Sequence, residues 1–395
     1  MAPRSNRRGE QLICSGESCG MKRWVGFICL PVIWAGGCSA AESGPQDYRR
    51  ETTAAATGLT MPTGRAAHSA VSLPDGRVLL IGGCVRESCE AGPESATVVA
   101  YDSATRGFRP AGTLTARRIS PASALLASGE VLIAGGWVGS TVTGAVEIFN
   151  PATGTSRRVT PLAVARSDIS MVLLADGRII IAGGFDGARP VAIVEVFDPR
   201  GFTVSKAGNL AVARAGAGGA RLADGQLVFV GGGTGAGNRP TDTAEVYDPR
   251  TQRSSPTGAM AEARYKHAVV ALSDGRVLAF GGSDHRDRGG KLATVESFDP
   301  ATRQFTSAGR LREPRYKIGG AVQLLPDGRV LVAGGAPRAE IYDPKTRLTV
   351  YTGPSFGKSL NFATVSLLRD GTLVAGGYDE NGIRLNRQAW VMRPE

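Results

Sequence analysis

The sequence predicts an all-β fold built from one repeated unit, and two observations carry this prediction. The first is a stretch that recurs seven times, in which a turn leads into a short apolar strand that ends in two glycines. The second is the spacing of the copies, because their glycine pairs lie 42 to 53 residues apart. A period of this length is typical of solenoids, propellers and arrays. The copies are 75–83, 127–136, 175–184, 223–232, 273–282, 326–335 and 369–377.

Each part of the repeated stretch has a physical role. Asp-Gly, as in Asp176-Gly177, supplies the positive φ angles of a tight hairpin turn. The run that follows is short and rich in Val, Ile and Leu, which indicates a strand buried on both faces. The glycine pair lets another backbone approach closely, or lets the chain bend. The unit therefore predicts a buried strand between a fixed turn and a close backbone contact.

Four strand-like segments in each repeat predict the architecture. In the first repeat they are 68–73, 77–83, 96–102 and 108–114. No segment keeps a helical period over three turns, and the 54 glycines suit many short strands and turns. Four short strands per unit at this spacing predict a seven-bladed β-propeller of four-stranded blades, which fills residues 52–395.

The count of strands also predicts how the ring closes. The seventh repeat has three strand-like segments, 362–368, 372–377 and 387–392, before the sequence ends at Glu395. The segment 52–65 precedes the first repeat and is similar to a fourth strand. We therefore expect the N-terminal segment to complete the last blade, because this would hide an exposed sheet edge.

Strand parity divides the connections between two faces. Neighbouring strands of a blade run in opposite directions, so the Asp-Gly and Asp-Pro turns share one face, the turn face. The loops between second and third strands share the opposite face with the connections between blades, and we call it the variable-loop face. Variable loops on a rigid scaffold are where binding usually occurs. These loops are 84–95, 137–143, 185–191, 233–242, 283–292 and 378–386.

The repeat resembles the kelch repeat, in which an apolar strand and a double glycine precede a strand such as VEVFDP at 194–199. The resemblance covers residues 52–395 and implies the propeller fold. Kelch propellers serve as enzymes, sugar binders and protein-binding platforms, so the resemblance implies no single activity. This sequence departs from many members because its fourth strands lack a Trp, which leaves the subfamily open.

Six arginines share one repeat position, at the start of an innermost strand and four residues after a Leu or Met. The seventh repeat has Lys358 and Ser359 nearby instead. Arginines around a central channel predict a ligand-binding ring for a carboxylate, a sulfate or an acidic sugar, because Arg binds such groups through two hydrogen bonds. The members of this candidate ring are Arg65, Arg118, Arg166, Arg214, Arg264 and Arg315.

A structural role for the same arginines is the alternative, because a glutamate recurs in the third strands. In VEVFDP, Glu195 falls on the same face as Phe197 and is expected to pack between blades. A buried carboxylate needs a cationic partner. That partner would be an arginine of the ring or one of the Asp-Gly-Arg turns. We expect a mixed ring, in which at least two of the six arginines face solvent. The recurring glutamates are Glu147, Glu195, Glu245, Glu296 and Glu340.

The sequence offers little catalytic chemistry. Of the three histidines, His68 and His267 occupy equivalent repeat positions, which favours packing or a capping hydrogen bond, and His285 stands apart. No metal-ligand spacing, nucleophile elbow, phosphate loop or zinc motif is present. We therefore predict no catalytic residue, no bound metal and no cofactor.

The predicted function is a binding or interaction module for a protein, an anionic ligand or a carbohydrate. The resemblance to kelch proteins leaves an enzyme open as the alternative. Such an enzyme would be a periplasmic carbohydrate-modifying protein, either similar to a sugar-acid epimerase with Arg and Glu in the channel or similar to galactose oxidase with its copper site. A cavity that brings an Arg, a carboxylate and a His within hydrogen-bond reach would favour the enzyme.

The N-terminal 37 residues predict export. Met21-Lys22-Arg23 precedes the apolar segment 24–35, and Gly36-Gly37-Cys38 follows it. This order is typical of a secretory signal, and the apolar run is shorter than the roughly 20 residues of a membrane span. If Met21 is the true start, residues 1–20 are not translated.

The cysteine after two small residues resembles a bacterial lipoprotein signal, in which Cys38 is lipidated. An ordinary signal peptide cut near Ala40 is the alternative. Residues 38–51 are small and polar and predict a tether. We expect a protein in the periplasm or at the outer membrane, with the lipid as its sole membrane attachment.

Charge and cysteine content limit the partners further. The net charge is +11, but the basic residues are scattered singly between the repeats, so we expect no binding to nucleic acid. Within the predicted propeller, residues 52–395, the sequence contains two cysteines, Cys84 and Cys89. Outside the cytoplasm these two are expected to form a disulfide, which would shape one loop.

Overall fold

The computed structural model describes residues 56–86 and 96–393, all within one compact unit, Arg50–Glu395. The predicted leader, the tether with Cys38, and Cys89 lie outside the described residues. The described chain consists of strands, turns and one 3₁₀ helix at Asp287–Gly290. None of its helical segments has the length and apolar character needed to cross a membrane. The prediction of an all-β fold is confirmed.

The described strands form seven sheets of four principal strands each. The chain begins with β1 (Ala56–Thr60). The first blade contains β2 (Ser69–Ser72), β3 (Arg77–Ile81), β4 (Thr97–Asp102) and β5 (Gly107–Thr113). The second blade runs through β6 (Ala122–Leu125), β7 (Val131–Ala134), a loop hairpin of β8 (Trp137–Val138) and β9 (Thr141–Val142), then β10 (Val146–Asn150) and β11 (Thr155–Arg158). The third blade contains β12 (Ser170–Leu173), β13 (Ile179–Ala182), β14 (Ile193–Asp198) and β15 (Thr203–Asn209).

The remaining blades repeat this pattern. The fourth runs through β16 (Arg214–Ala215), β17 (Gly218–Arg221), β18 (Leu227–Val230), β19 (Gly233–Thr234), β20 (Arg239–Pro240), β21 (Ala244–Asp248) and β22 (Arg253–Pro256). The fifth contains β23 (Ala268–Ala271), β24 (Val277–Phe280), β25 (Leu292–Asp299) and β26 (Gln304–Arg315). The sixth contains β27 (Val322–Leu324), β28 (Val330–Val332), β29 (Arg338–Asp343) and β30 (Leu348–Ser355). The seventh contains β31 (Asn361–Leu368), β32 (Gly371–Asp379), β33 (Arg384–Leu385) and β34 (Gln388–Met392).

The N-terminal strand lies in the last blade. The order of that sheet is β1-β34-β32-β31, and the antiparallel register pairs Ala56 with Met392 and Thr60 with Gln388. The innermost strand of each blade contacts the innermost strands of both neighbours, and β31 of the last blade contacts β2 of the first. In the described residues the seven blades therefore form a closed ring, with the N-terminal strand in the position that the sequence predicts.

The apolar second strands are buried on both faces because each lies between two neighbouring blades. In β13, Ile179 and Ile181 pack with residues of the second blade. The alternating residues Ile180 and Ala182 pack with residues of the fourth blade. This arrangement explains why the strand reads as a continuous apolar run rather than as an alternating one.

The second glycine of each pair joins its blade to the next. The amide of Gly136 donates a hydrogen bond of 3.1 Å to the Arg166 carbonyl of the following blade. Its φ is 100°, and a Cβ there would lie 2.6 Å from the Ile119 carbonyl oxygen, so no other residue fits. The same bond closes the ring, because the Gly377 amide donates to the Arg65 carbonyl over 2.8 Å.

Candidate functional site

The six repeated arginines lie inside the blades rather than around an open channel. Each side chain belongs to a residue with an exposed fraction of 0 or 1%. The expectation that at least two of them face solvent is therefore wrong. The guanidinium groups of these arginines point into the blades because backbone carbonyls and carboxylates there accept their hydrogen bonds. The six are Arg65, Arg118, Arg166, Arg214, Arg264 and Arg315.

Five of the arginines form buried ion pairs with the recurring glutamates. In the third blade Arg166 Nη1 lies 2.6 Å from Glu195 Oε2, and Arg166 Nε donates to the Gly183 carbonyl over 2.8 Å. The other oxygen of Glu195 accepts the Ala163 amide at 2.8 Å. Both oxygens of this carboxylate therefore lie against groups of the fold, and the paired arginines are buried beside their glutamates. The pairs are Arg118–Glu147, Arg166–Glu195, Arg214–Glu245, Arg264–Glu296 and Arg315–Glu340.

The arginines of the Asp-Gly-Arg turns have a different partner. Each one pairs with the aspartate of its own turn on the turn face, as Arg178 does with Asp176 at 2.8 Å. The glutamates therefore form ion pairs with the arginines of the candidate ring and not with the arginines of the turns. The same local pairing occurs at Arg77, Arg276 and Arg329.

Two blades depart from the pattern. In the first blade Val99 occupies the glutamate position, because it pairs with Leu80 as Glu195 pairs with Ile181. Among the described residues Arg65 therefore has no carboxylate partner, and its Nε has no hydrogen-bond partner. Burial lowers its pKa to about 10. In the seventh blade both positions are apolar. Leu360 and Trp390 belong to one core cluster there, so neither Lys358 nor Ser359 replaces the arginine.

The central channel contains a cavity of about 410 Å³. Small and neutral polar residues of the innermost strands line it, among them Ser69, Ser123 and Thr364, together with His68 and His267. The carboxylate of Asp168 also faces this space. None of the described lining residues is an arginine, so the combination of Arg, carboxylate and His that would favour an enzyme is not found at this cavity.

The two channel histidines are neutral. Burial and the nearby Arg65 lower the pKa of His68 to about 3, and His68 Nε2 lies 2.9 Å from Thr364 Oγ1. Burial and the nearby Arg264 lower the pKa of His267 to about 3 as well. His267 lies near the Val230 carbonyl, but the geometry falls short of a hydrogen bond, and neither ring nitrogen has a partner. Near neutral pH each imidazole therefore offers one donor and one acceptor but no charge.

One residue of each blade adopts a left-handed backbone conformation at the rim of the channel. These residues stand two positions after the repeated arginine, or after Leu360 in the seventh blade, and their φ angles lie between 50° and 62°. Backbone hydrogen bonds join several of them, as from the Phe362 amide to the Lys317 carbonyl at 2.9 Å. Left-handed residues other than glycine are uncommon and cluster at functional sites. This rim consists of Ala67, Ser120, Asp168, Gly216, Lys266, Lys317 and Phe362.

The fifth blade contributes a cation held by an acid and a phenol. Lys266 Nζ lies 2.7 Å from Asp287 Oδ1, and the hydroxyl of Tyr265 donates to the same oxygen over 2.7 Å. Burial lowers the pKa of Lys266, although Asp287 opposes the effect. Lys266 is half-buried, and the next residue, His267, lines the cavity. The lysine therefore lies near the cavity.

The sixth blade adds a second cation, Lys317, among aromatic rings of its own and of the seventh blade. Lys317 Nζ lies 2.6 Å from the hydroxyl of Tyr378, and 4.7 Å and 5.5 Å from the ring centroids of Tyr316 and Phe362. Such contacts stabilise a partly desolvated ammonium. We refer to Lys266 and Lys317 with Tyr265, Tyr316, Phe362 and Tyr378 as the rim cluster.

The acids of the neighbouring loops are already paired. Lys291 Nζ lies 2.5 Å from Glu380 Oε2, and Arg288 Nε lies 3.7 Å from the same oxygen. Burial works to raise the pKa of Glu380, but Lys291 and Tyr316 outweigh it and lower that pKa. Four cations thus stand beside Asp287 and Glu380, and this side of the rim carries a positive surplus.

Sequence reasoning selected the arginines and missed the rim. Asp168, Lys266 and Lys317 each follow a repeated arginine by two positions, where the residue type changes from blade to blade. That variation beside a constant residue was the available signal. The left-handed backbone at these positions cannot be read from the repeat alone.

The remaining predicted site residues are only partly described. Cys84 is disulfide-bonded, and its partner lies outside the described residues, as do Cys89 and Cys38. Within residues 56–86 and 96–393, no three His, Cys, Asp or Glu side chains converge where a metal ion would bind.

Comparison with known proteins agrees with this architecture. The profile of the Kelch motif matches residues 172–210 and 264–312. No curated protein matches the chain. A similar solved structure is a fungal alcohol oxidase of the AA5 family in complex with copper, with a TM-score of 0.68 and 18% identity over 86% of this chain and 76% of that chain. At this identity the likeness shows the fold alone.

Proposed function

Because this chain is a kelch-repeat β-propeller, we propose that it is an exported binding module that takes up a small anionic ligand at the rim of its central channel. The observation that supports this proposal most strongly is the rim cluster. Two lysines, Lys266 and Lys317, stand there among four aromatic rings, next to a cavity of about 410 Å³. A concave site with a few convergent polar groups is the usual form of a ligand pocket.

The energetics of the lysines favour an anionic group. Lys266 is partly desolvated, and burial lowers its pKa, so the ammonium is held at a cost in free energy. A ligand carboxylate would lower that cost and would accept the ammonium hydrogens that Asp287 and Tyr265 leave unused. Because the site is partly enclosed by protein, the attraction would be stronger than between charges on an open surface. The positive surplus on this side of the rim supports the same conclusion.

Binding is better supported than catalysis by the residues of the cavity. A general base needs a pKa near the working pH, and the pKa of about 3 for both His68 and His267 is far below it. The lining residues that the structure describes include no arginine that would orient and polarise a substrate. A carbohydrate-modifying activity remains the second outcome of the experiment below, and turnover of a bound sugar acid would reveal it.

The position of the N-terminal strand is compatible with anchoring. Ala56 pairs with Met392, and β34 ends on the turn face, so the chain enters the propeller on that face. We propose that a tether from a lipidated Cys38 joins the propeller there. The rim cluster lies on the opposite face, and the tether would leave it open to ligands.

The proposal is tested by titrating the purified protein with a panel of small carboxylates and sugar acids at two salt concentrations. We expect Lys317→Met to weaken binding of the best ligand by about tenfold or more, because a hydrogen bond to a charged group is lost. Added salt should weaken wild-type binding too. Lys345→Met is the matched control, because Lys345 is exposed on the turn face. Equal affinity of wild type and Lys317→Met for every anion that binds, or no binding by any, would refute the proposal.

A further inference from the structure

The charges of the rim are arranged with opposite signs on opposite sides of the channel. Counting around the ring, Asp168 is the rim residue of the third blade, and Lys266 and Lys317 belong to the fifth and sixth. In a ring of seven, the third and sixth positions are almost diametrically opposed. Gly216 stands between Asp168 and Lys266 and leaves that part of the rim without a side chain. We propose that the rim binds a small ligand that carries both an ammonium and a carboxylate group.

In this arrangement the ligand carboxylate contacts Lys266 and Lys317 and the ligand ammonium contacts Asp168. The inference rests on the proposed function, since the same lysines receive the anion. It adds a second charged contact across the channel and so names the class of ligand, an amino acid in the broad sense.

Asp168 is the residue that distinguishes this ligand from a simple anion. Its carboxylate is exposed to the channel, and Ser167 Oγ donates a hydrogen bond of 2.9 Å to Oδ2. No ion pair joins it to any described residue, whereas Asp287 and Glu380 are each paired with a lysine. The protein that encloses the channel raises the pKa of Asp168, and Lys266 partly opposes this effect. A bound ammonium would supply the cation that this carboxylate lacks.

The cavity beyond the rim suits the uncharged part of such a ligand. Its lining is small and neutral, and His267 has no hydrogen-bond partner at either ring nitrogen. Both ring nitrogens are buried, so the ligand would lie against the small side chains of the lining rather than hydrogen-bond to this imidazole. The volume of about 410 Å³ lies toward the lower end of the range for ligand pockets. The ligand is therefore a small molecule rather than a folded partner.

The test compares amino acids with the same carboxylates lacking the amine. Glycine, β-alanine, γ-aminobutyrate and ε-aminocaproate are titrated into the wild-type protein beside acetate, propionate, butyrate and caproate, with binding followed by NMR. We expect at least one amino acid to bind about tenfold or more tightly than its partner acid, because a charge-assisted contact to Asp168 is added. The chain length that binds best reports the span between Asp168 and the lysines.

Asp168→Asn should abolish this preference without weakening the binding of the simple carboxylates, because the substitution removes a negative charge from the site. Asp224→Asn is the matched control, since Asp224 is an exposed residue of an Asp-Gly turn and accepts the Gln226 amide at 2.9 Å. Thermal melting of each variant shows whether it is folded. If the carboxylates bind as tightly as the amino acids, the inference fails and the proposed function stands. If neither series binds, the inference fails, and the sugar acids of the wider panel decide whether the proposed function fails with it.

Discussion

Arg65 provides a direct test of the reasoning about buried charge, because it is the repeated arginine whose blade lacks the glutamate. We compare two substitutions. Glu195→Ala breaks a complete pair in the third blade, and Arg65→Met removes an arginine that has no carboxylate to leave behind. Both sites are buried, and Arg65 occupies in the first blade the position that Arg166, the partner of Glu195, occupies in the third. The difference between the two effects therefore reports the role of the partner rather than of burial.

The contacts give the expected magnitudes. Glu195→Ala removes the 2.6 Å ion pair with Arg166 and the 2.8 Å hydrogen bond from the Ala163 amide, and it leaves a buried cation without compensation. We expect a loss of about 3–5 kcal/mol in the free energy of unfolding. Arg65 makes three long hydrogen bonds of 3.2–3.4 Å, and burial lowers its pKa to about 10. Because Met fills a similar volume without a charge, Arg65→Met should change stability by only about 1 kcal/mol.

The measurement is urea unfolding followed by circular dichroism, with midpoint and slope fitted for each variant. Val99→Glu provides the control, because it places a carboxylate where five of the other six blades have one. In that background Arg65→Met should cost about as much as breaking a natural pair. A loss of about 3 kcal/mol or more for Arg65→Met in the wild-type background would refute the reasoning. So would a loss below about 1 kcal/mol for Glu195→Ala.

Three further predictions concern closure, acid stability and the anchor. Deleting residues 39–62 should lower the melting temperature by about 5 °C or more, because it removes β1 and the buried Met61. Deleting only residues 39–55 should leave the melting temperature unchanged. Equal melting temperatures of the two variants would contradict closure by β1. His68 and His267 have folded pKa values of about 3, below the value of about 6.5 for an unfolded histidine. The unfolded state therefore binds more protons between about pH 6.5 and pH 3. As the pH is lowered through this range, each histidine should reduce the free energy of unfolding by up to about 1.4 kcal/mol per pH unit. The His267→Gln variant should lose less free energy of unfolding than wild type over this range. The same pH dependence in variant and wild type would count against a neutral, buried His267. Cys38→Ser should move the protein from the membrane to the soluble fraction, and a wild-type protein whose mature N-terminus is not Cys38 would exclude the lipid anchor.

The fold could be predicted because its signals are local and repeated. Asp-Gly turns, buried strands and glycine pairs recur in register, and each has one physical explanation wherever it occurs. The structure gives the glycine pair a specific role, since the Gly136 amide binds the next blade and leaves no room for a side chain. The missing fourth strand of the last repeat was enough to place residues 52–65, of which Ala56–Thr60 form β1.

The site could not be predicted in the same way, because it depends on side-chain directions and backbone angles that the repeat pattern does not specify. An arginine at the start of an innermost strand can point into the channel or into the blade, and the sequence allows both. The repeated glutamates made the second outcome possible, but Val99 shows that the two positions do not always vary together. The rim depends on a left-handed residue, and nothing in a segment such as Arg166-Ser167-Asp168 specifies that conformation.

The buried pairs have a consequence for the rim as well as for stability. The seventh blade forms without such a pair, since Leu360 and Trp390 fill the same positions, so the pair is not required to build a blade. The glutamate instead fixes the connection between two blades. Glu195 accepts a hydrogen bond from the Ala163 amide and forms an ion pair with Arg166, which precedes Asp168 by two residues. Lys266 and Lys317 likewise follow Arg264 and Arg315, which are paired in the same manner. The charged residues of the rim thus all lie two positions after a paired arginine. Substituting a paired glutamate should therefore weaken ligand binding at the rim even where the blade stays folded.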